Sequence, residues 1–308
     1  MIINKNSAIP NSIGIPSVAS FVVKIKSKEE VIKVINFASK INLPLWILGD
    51  GTNIIPHNNI KAVIAILNSK GIEKNGSILK VQAGEKWDNV VKFAVKNGLS
   101  GIEALSSIPG RAGSALTQNI GAYGSEISDC LESVEVYDKK KKGFINFNKK
   151  ECKFGYRDSL FKKYPERFII VLINLKLSKQ RPKIPKYKGV EEYFKKRSNK
   201  YPNLQEIRKA IIEIRKNKLP NPNTTPNAGS YFINPIIKNK KIFAGHLIEE
   251  IELKGAKIGR IEISPQNALI LTNPERAGFE EVMKAENFIR NKVFQKFGIN
   301  LEREPRII

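Results

Sequence analysis

One segment of the sequence is far richer in glycine than the rest: Gly101-Ile-Glu-Ala-Leu-Ser-Ser-Ile-Pro-Gly-Arg-Ala-Gly-Ser-Ala-Leu-Thr-Gln-Asn-Ile-Gly-Ala-Tyr-Gly-Ser-Glu126. Because each glycine loses more conformational freedom on folding than other residues, this density favours a backbone packed closely against something. A buried polar cofactor, rich in phosphate, ribose and ring carbonyls, is one such object, and a purely structural Ω-loop is the alternative. Short hydrogen-bonding side chains lie between the glycines: Ser106, Ser107, Ser114, Thr117, Gln118 and Asn119.

A second glycine-containing turn, Gly49-Asp-Gly-Thr-Asn53, directly follows the short apolar run Leu45–Leu48. Closely spaced glycines let successive backbone N–H groups face one concavity, which suits a phosphate or a pyrophosphate. The turn lacks the full G-x-G-x-x-G spacing and a following helix, so it is not the usual dinucleotide fingerprint. A tight turn and an anion-binding turn therefore both fit these five residues.

The pattern of apolar residues predicts alternating strands and helices on both sides of these segments. Ser27 and Glu30 form a capping-box pattern that predicts a helix from there to about Asn42. Lys139–Lys142 is typical of a solvated turn between strands, and the proline- and lysine-rich stretch Lys179–Lys186 is typical of a linker. Strands are predicted at Ser20–Ile25, Leu45–Leu48, Ala62–Leu67, Ile78–Gln82, Leu131–Tyr137 and Phe168–Leu177, and further helices at Trp87–Asn97, Leu204–Lys216 and Phe279–Phe297.

The chain of 308 residues is strongly basic, with 53 Lys and Arg against 29 Asp and Glu and a formal charge of +24. Such a surplus is typical of nucleic-acid binders, because phosphate neutralisation supplies much of their affinity. However, 41 of these cations are scattered lysines and only 12 are arginines. Clustered arginines with interleaved aromatic residues are the usual means of reading nucleic acids. We therefore expect no nucleic-acid partner, and a positive field that attracts small anionic substrates.

Composition excludes several other classes of protein. Hydrophobic residues make up 41% and charged residues 27%, as in ordinary globular proteins. Cys130 and Cys152, with two histidines, are too few for a disulfide framework or a typical zinc cluster, so no metal is expected. No apolar run approaches the ~18–20 residues of a membrane span, and Met1–Asn6 lacks the pattern of a signal peptide. The expected location is the cytoplasm, without membrane insertion.

The glycine-rich segment belongs to a resemblance that covers nearly the whole chain. Its parts Ile108–Gly113 and Gln118–Glu126 closely resemble motifs of the UDP-N-acetylenolpyruvoylglucosamine reductase (UDP-N-acetylmuramate dehydrogenase) family. The resemblance implies a bacterial flavoenzyme of peptidoglycan-precursor synthesis. The implied fold is α+β, with a vanillyl-alcohol-oxidase-like (PCMH-type) FAD-binding domain of two lobes and a C-terminal α+β substrate-binding domain. Four other segments occur in the order of the family: Leu48–Asn53, Phe154–Lys162, Asn227–Pro235 and Leu301–Ile308.

The resemblance implies two cofactors, namely FAD bound non-covalently and NADPH as the hydride donor. NADPH reduces FAD, and the reduced flavin then passes a hydride to the methylene carbon of UDP-N-acetylglucosamine enolpyruvate, which yields UDP-N-acetylmuramate. The residues implied to bind FAD lie in the two glycine-containing segments: Gly49, Asp50, Gly51, Thr52, Asn53, Ser107, Ile108, Pro109, Gly110, Gly113, Gln118, Asn119, Gly121, Ala122, Tyr123 and Gly124.

Three catalytic residues are carried over from the family motifs. Reduction of an enol ether that bears a carboxylate builds negative charge on the carboxylate, so a cation and a proton donor are needed. Arg157 offers a permanent cation with a forked set of donors. Ser230 matches the proton donor to the enol carbon, and Glu304 matches an acid that assists the same intermediate.

Substrate contacts are implied at five further positions, and three positions depart from the family pattern. Arg111 stands where a small residue is usual, which leaves the detailed shape of the cofactor loop open. Ile233 replaces a common lysine, and Asp50 stands where glycine or glutamate is more usual. The implied substrate-binding residues are Tyr156, Tyr187, Lys218, Asn234 and Asn267.

We predict three lobes and a monomeric enzyme. Residues 1–67 and the tail 297–308 form the first lobe of the FAD-binding domain, residues 68–180 form the second lobe, and residues 186–296 form the substrate-binding domain. Two alternatives stay open at this point: another flavin-dependent oxidoreductase of the same fold, and a basic nucleic-acid-binding protein.

Overall fold

A computed structural model describes residues 1–238 and 240–308 of the chain. Contacts within it divide the chain into two compact units. The lobe boundaries predicted from the sequence stay a prediction. Unit 1 comprises Met1–Asn4, Val23–Gly49 and Val63–Arg215, and unit 2 comprises Lys5–Val22, Asp50–Ala62 and Lys216–Ile308.

Helices form where apolar residues recur every three or four positions, and each helix predicted from the sequence is present within two residues of its expected ends. At the first helix the Ser27 hydroxyl accepts the N–H of Glu30 at 3.4 Å, which confirms the predicted cap. The Glu30 carboxylate accepts the N–H of Lys26, one residue earlier than the capping-box pattern expects. The helices are α1 Lys28–Lys40, α2 Trp87–Lys96, α3 Ala112–Thr117, α4 Leu160–Lys163, α5 Lys188–Lys196, α6 Leu204–Lys218, α7 Ala244–Glu250 and α8 Phe279–Phe297.

The predicted strands are also present, and the lysine run Lys139–Lys142 lies in the turn between β10 and β11, as expected. The strands are β1 Ile3–Ala8, β2 Val18–Ile25, β3 Leu45–Leu48, β4 Ile54–Ile55, β5 Asn59–Leu67, β6 Ile72–Asn75, β7 Ile78–Gln82, β8 Gly121–Ala122, β9 Ser125–Glu126, β10 Leu131–Asp138, β11 Gly143–Asn148, β12 Phe168–Lys176, β13 Asn227–Ser230, β14 Ile236–Ile237, β15 Lys240–Lys241, β16 Lys257–Ile258, β17 Ile261–Ile263, β18 Ile270–Thr272 and β19 Arg306–Ile307.

Three larger sheets organise these strands. One has the order β1-β2-β5-β3, in which β3 and β5 are parallel. The second, within unit 1, has the order β11-β10-β12-β7-β6 and is antiparallel throughout. The third, within unit 2, has the order β13-β18-β17-β16 and is also antiparallel. In addition, β19 near the C-terminus pairs in parallel with β4.

Each unit has its own apolar packing. In unit 1, helices α5 and α6 pack on one another through a small cluster that includes Phe194 and Ile211, and Tyr123 packs against this cluster. In unit 2, α8 packs against the sheet through Val282 and Ile289, both completely buried. Burial of such side chains is the main favourable contribution to folding. Strand β13 and the C-terminal tail are therefore attached to a rigid core.

Candidate active site

Ser230 and Glu304 lie on two adjoining extended segments of unit 2. Ser230 ends β13, and the carbonyl oxygen of the next residue, Tyr231, accepts the main-chain N–H of Glu304 at 2.9 Å. The N–H of Ile233 donates to the carbonyl of Glu302 at 2.8 Å. Both predicted catalytic side chains are half-buried. The pairing thus brings together two residues that lie far apart in the chain.

Asn267 approaches the same pair of segments from β18. Ile270 of β18 pairs with Ser230, and the Leu269 carbonyl accepts the N–H of Tyr231 at 2.7 Å. Asn267 begins the turn that leads into this strand, and its side-chain oxygen accepts the N–H of Leu269 at 3.0 Å. The structure therefore places Asn267 beside the segment that carries Ser230.

The two other substrate-binding residues predicted in unit 2 have separate positions. The side-chain oxygen of Asn234 accepts the N–H of Ala244 at 2.9 Å, so Asn234 is bonded to the first residue of α7. Lys218 is the last residue of α6 and is exposed. A lysine at this position is the type of residue that binds a diphosphate as a point charge.

The turn after β3 has its carbonyl groups bonded to other parts of unit 2. The carbonyl of Gly51 accepts the Ser12 N–H at 3.0 Å, and the carbonyl of Thr52 accepts the Ser12 hydroxyl at 3.3 Å. The carbonyl of Asn53 accepts the N–H of Arg306 at 3.0 Å. The negative ends of three successive peptides are therefore engaged by the protein. An anion-binding turn needs this arrangement, because its N–H groups must face the ligand.

Close approach explains both glycines of this turn. Gly51 has a φ of 67°, and a Cβ atom there would collide with the carbonyl oxygen of Pro10. A Cβ atom on Gly49 would come within 2.5 Å of the Ser114 hydroxyl, in the glycine-rich segment. Gly51 is therefore required by both its backbone conformation and the space around it, whereas a side chain at Gly49 would require the Ser114 hydroxyl to move.

The glycine-rich segment follows a strained path through unit 1. Ser107, Asn119 and Tyr123 have φ values of 60°, 46° and 52°, in the left-handed region that favours glycine. Such conformations cost about 1–3 kcal/mol each, persist only where packing determines them, and cluster at ligand-binding sites. The strain at three residues favours a ligand-binding segment over a simple structural loop.

Trp87 anchors the beginning of this segment. Its indole N–H donates to the carbonyl of Leu105 at 3.0 Å, and its main-chain N–H donates to the carbonyl of Gly110 at 3.0 Å. The indole is completely buried. Further along, the N–H of Gly113 donates to the carbonyl of Ala83, just beyond β7, at 2.8 Å. The segment is therefore attached to the end of the antiparallel sheet.

Arg157 is bonded directly to the glycine-rich segment. One guanidinium nitrogen donates to the carbonyl of Gly121 at 2.9 Å, and the guanidinium lies 5.5 Å from the centre of the Tyr156 ring. Arg157 itself has a left-handed φ of 55°, and its carbonyl oxygen accepts the Lys162 ammonium at 2.7 Å. The structure thus fixes both the backbone and the side chain of the predicted carboxylate-binding residue.

Asn119 connects the segment with the turn that carries Arg157. Its amide nitrogen donates to the carboxylate of Glu126 at 2.7 Å and to the carbonyl of Gly155 at 3.0 Å. Its amide oxygen accepts the N–H of Ser128 at 3.2 Å. The side chain is completely buried. The main-chain N–H of Asn119 also donates within the segment, to the carbonyl of Leu116 at 3.0 Å. Asn119 therefore acts through protein groups, by fixing the path of the segment.

Asp88 is a contact of the glycine-rich segment that sequence reasoning missed. Its carboxylate accepts the N–H of Ser107 at 2.6 Å and two hydrogen bonds from Arg208, at 2.8 and 2.7 Å. Partial burial opposes ionisation of Asp88, but the bonds from Arg208 and Ser107 outweigh it and lower the pKa of this carboxyl group. Asp88 stays ionised and links α6 to the strained residue Ser107.

Tyr123 is held from α6 as well. Its phenol is hydrogen-bonded to Arg215, and burial raises the pKa of this phenol. The ring of Tyr187 lies edge-on to that of Tyr123, with 5.2 Å between ring centres. Arg208 and Arg215 are seven residues apart and share one face of α6. This spacing on a predicted helix is the sequence signal that could have found both arginines.

Arg111, the departure beside the cofactor loop, is accommodated inside unit 1. Its guanidinium donates to the side-chain oxygen of Asn68 at 2.9 Å and to the carbonyl of Gly84 at 2.7 Å. The residue is 9% exposed. Its guanidinium is therefore hydrogen-bonded to neutral oxygen atoms just beyond the ends of β5 and β7.

The predicted site residues fall into two groups. Arg157 and the residues bonded to it belong to unit 1, whereas Ser230 and Glu304 belong to unit 2. The glycine-rich segment of unit 1 carries short polar side chains of the kind that a polar cofactor such as FAD requires. The remaining predicted cofactor residues are Asp50, in the turn after β3, and Ile108, Pro109, Gln118, Ala122 and Gly124, in the glycine-rich segment.

Two protein-family models match different parts of the chain and define the class of protein to which it belongs. Residues 19–143 match the model of a FAD binding domain, so the predicted FAD-binding fold and the FAD cofactor are confirmed. Residues 221–308 match the C-terminal domain of UDP-N-acetylenolpyruvoylglucosamine reductase.

Individual relatives are similar to this chain over nearly its full length. The reductase of this name from Aliivibrio fischeri is 34% identical over 99% of this chain and 94% of its own length, and that from Escherichia coli is 33% identical over 97% and 94%. The crystal structure of the enzyme from Thermus caldophilus is similar with a TM-score of 0.73 and 25% identity, covering 96% of this chain and 95% of that one. The chain belongs to the UDP-N-acetylenolpyruvoylglucosamine reductase family, as the motifs predicted.

A helix that crosses a lipid bilayer must be both long and apolar. Among the residues that the structure describes, none of the helices combines the length and the apolar character required to cross a membrane.

Proposed function

We propose that this chain reduces UDP-N-acetylglucosamine enolpyruvate to UDP-N-acetylmuramate, with NADPH as the source of electrons. The observation that carries the proposal is membership of the reductase family, which extends over nearly the full chain. The hydrogen bond from Glu304 to Tyr231 supports it, because the segments of the two candidate proton-handling residues, Ser230 and Glu304, adjoin each other. FAD, when bound, supplies the two-electron chemistry that connects NADPH with the enolpyruvyl group.

The residues proposed to hold FAD are those of the two glycine-containing segments. The turn after β3 offers its N–H groups to a pyrophosphate, since its carbonyls are bonded to Ser12 and Arg306. The strained path from Ser107 to Gly124 offers small polar groups to the remainder of the cofactor. The flavin is proposed to be bound non-covalently, so it is expected to be released on denaturation.

Arg157 is proposed to bind the carboxylate of the enolpyruvyl group. Reduction at the methylene carbon pushes electron density onto the adjacent carbon and its carboxylate. A guanidinium already fixed by the Gly121 carbonyl and the Tyr156 ring needs little reorganisation to stabilise that charge. Preorganised charges of this kind are usually the largest single contribution to catalysis.

Ser230 is proposed to donate the proton that completes the reaction at the carbon next to the carboxylate. A serine hydroxyl is a weak acid, so the adjoining carboxyl group of Glu304 is proposed to assist at the same carbon. The hydrogen bond between Glu304 and Tyr231 supports a joint action, because it holds the two segments side by side. Positioned proton transfer of this type contributes roughly 10²–10⁴-fold to a rate.

Substrate binding is proposed for five further residues. Lys218, exposed at the end of α6, suits a diphosphate. Tyr187 is 43% exposed and packs on Tyr123, so it can cover a ligand at the glycine-rich segment. The remaining three are Tyr156, Asn234 and Asn267.

The chain is further proposed to work as a monomer in the cytoplasm, without a nucleic-acid partner. Cys130 and Cys152 are both free thiols, as is usual in a reducing compartment. The positive charge is provided mainly by lysine and suits anionic small molecules. Sedimentation analysis of the purified protein tests the monomer directly.

The deciding experiment is NADPH oxidation by the purified flavoprotein with and without UDP-N-acetylglucosamine enolpyruvate. Fast oxidation only in the presence of this substrate, with UDP-N-acetylmuramate as the product, supports the proposal. The protein would be another oxidoreductase of this fold if it contained flavin, did not reduce the enolpyruvyl compound and oxidised an alcohol or a sugar instead. A colourless protein that fails to take up FAD would overturn the assignment altogether.

A further inference from the structure

Glu286 of α8 is a completely buried carboxylate with two strong hydrogen-bond donors. One of its oxygens, Oε2, accepts the phenol of Tyr231 at 2.9 Å and a guanidinium nitrogen of Arg303 at 2.8 Å. Arg290, one turn further along the helix, lies 3.5 Å from the other oxygen. Because an unpaired buried charge is very costly, these donors and the carboxylate must stay together in the folded protein.

The two donors to Glu286 are the chain neighbours of the two proposed proton-handling residues. Tyr231 directly follows Ser230, and Arg303 directly precedes Glu304. The guanidinium of Arg303 also donates to the Pro305 carbonyl at 3.2 Å, so the tail is held on both sides of Glu304. A single buried oxygen atom therefore binds both segments, in addition to the main-chain pairing between them.

The phenol of Tyr231 is suited to a permanent role as a donor. Burial and the neighbouring carboxylate of Glu286 raise the pKa of Tyr231 well above its ordinary value. The phenol therefore keeps its proton near neutral pH and acts as a donor there. This hydrogen bond is not a switch but a fixed attachment.

We propose that Glu286 is a positioning residue, which holds Ser230 and Glu304 in one register through Tyr231 and Arg303. The proposal rests on the roles proposed above for Ser230 and Glu304. Displacement of a reacting group by about 1 Å can cost on the order of a hundredfold in rate. Loosening this attachment should therefore slow proton delivery to the substrate and leave flavin reduction by NADPH unaffected.

The experiment uses Tyr231→Phe and Arg303→Met in the full-length, FAD-loaded protein. Glu286→Gln is a third variant, but it leaves Arg303 without its counter-charge and is prone to unfold. Stopped-flow absorbance of the flavin follows its reduction by NADPH and its reoxidation by the enolpyruvyl substrate separately. We expect reoxidation to slow about ten- to a hundredfold in both variants, with reduction within about twofold of the unaltered protein.

Arg260→Met is the matched control, since it also removes an ion pair to α8. Arg260 is bonded to Glu281 at the exposed beginning of that helix. This variant should leave both half-reactions unchanged. A general weakening of the packing of α8 would instead slow the control and the two test variants alike, and would overturn the proposal.

Amide hydrogen exchange provides a readout that does not depend on activity. The N–H groups of Glu304 and Ile233 should exchange faster in Tyr231→Phe and Arg303→Met than in Arg260→Met. Unchanged exchange together with an unchanged reoxidation rate would refute the positioning role. If the unaltered protein fails to pass electrons to the substrate, the proposed function is wrong, and the exchange data still decide whether Glu286 attaches the two segments.

Discussion

The main-chain N–H of Glu304 lies 2.9 Å from the main-chain carbonyl oxygen of Tyr231 and donates a hydrogen bond to it. Through this bond the C-terminal tail pairs with the segment that follows Ser230. Two groups proposed to handle one proton thus share one backbone support in unit 2. Their relative position depends on this main-chain pairing and on the attachment of Tyr231 and Arg303 to Glu286.

Replacement of Ser230 by alanine should separate the two half-reactions. The hydroxyl is needed only when a proton reaches the substrate, so FAD binding and flavin reduction by NADPH should stay nearly intact. Reoxidation by the enolpyruvyl substrate should slow by several orders of magnitude, far more than loss of a neutral hydrogen bond of about 1 kcal/mol explains. Stopped-flow absorbance of the flavin measures both rates. Ser230→Cys should recover part of the rate, because a thiol can still donate a proton.

Equal slowing of both half-reactions in Ser230→Ala would mean that this residue only shapes the pocket. The proton donor would then have to be sought elsewhere, beginning with Glu304.

Removal of the Asp88 carboxylate should weaken FAD binding. Asp88→Ala frees the strained residue Ser107 and leaves Arg208, which is 14% exposed, without its partner. Hydrogen bonds to charged groups contribute about 1.5–3 kcal/mol, so the Kd for FAD should rise at least about tenfold. Titration of the apoprotein with FAD, followed by flavin fluorescence, measures the change. The control is Arg197→Met, which breaks an exposed ion pair with Glu213. Glu213 lies on α6, as Arg208 does, and this variant should leave the Kd unchanged.

Two glycines with nearly the same backbone conformation provide a matched test of the turn after β3. Gly51 and Gly76 have φ values of 67° and 61°, but only Gly51 lacks room for a Cβ atom, since Gly76 has no neighbour within 4 Å of that position. Gly76→Ala should cost about 1–2 kcal/mol of the free energy of unfolding through its backbone conformation alone. Gly51→Ala should cost clearly more and should also release FAD. Urea unfolding and the flavin content after gel filtration measure both effects; equal costs would contradict the close approach.

The pair Asp138–Arg167 should make stability depend on acidity. The two hydrogen bonds from Arg167, at 3.0 and 2.8 Å, lower the pKa of Asp138 to about 2 in the folded protein, against about 3.9 in an unfolded chain. A lowered folded-state pKa means that the stabilisation is complete above the unfolded value and disappears as the pH falls through the folded value. Asp138→Asn should therefore lower the urea midpoint at pH 6, and this difference should shrink between about pH 4 and pH 2.

A suitable control for this pH dependence is Glu132→Gln. Glu132 faces Lys176 at 3.8 Å with both side chains exposed, so little change is expected at any pH. A constant difference between Asp138→Asn and the unaltered protein across the acidic range would contradict the assigned cause.

Local patterns in the sequence predicted the four longest helices and six of the strands. The α8 bounds Phe279–Phe297 follow directly from apolar periodicity, and the Ser27 cap follows from a residue type that competes for free N–H groups. Strand β1 was not predicted, because Ile3–Ala8 is short and mostly polar. Helix α5 was missed for a related reason, since it follows the linker and carries few apolar residues.

The candidate site divides in the same way. Motifs and glycine density indicated Arg157, Ser230, Glu304 and the segments proposed to bind FAD, because each of these lies within its own short run of recognisable residues. Nothing near Asp88 in the chain indicates Arg208, and nothing near Glu286 indicates Tyr231. Such partners meet only after distant segments have packed.

The sequence by itself therefore determined the family, the four longest helices and six of the strands, since each of these depends on residues that are close together in the chain. The tertiary structure alone decided how Ser230 and Glu304 are held. Their support by Tyr231, Arg303 and Glu286 requires three remote segments to converge on one buried carboxylate. A charge becomes an attachment point only when its surroundings exclude water, and burial is a property of the whole fold.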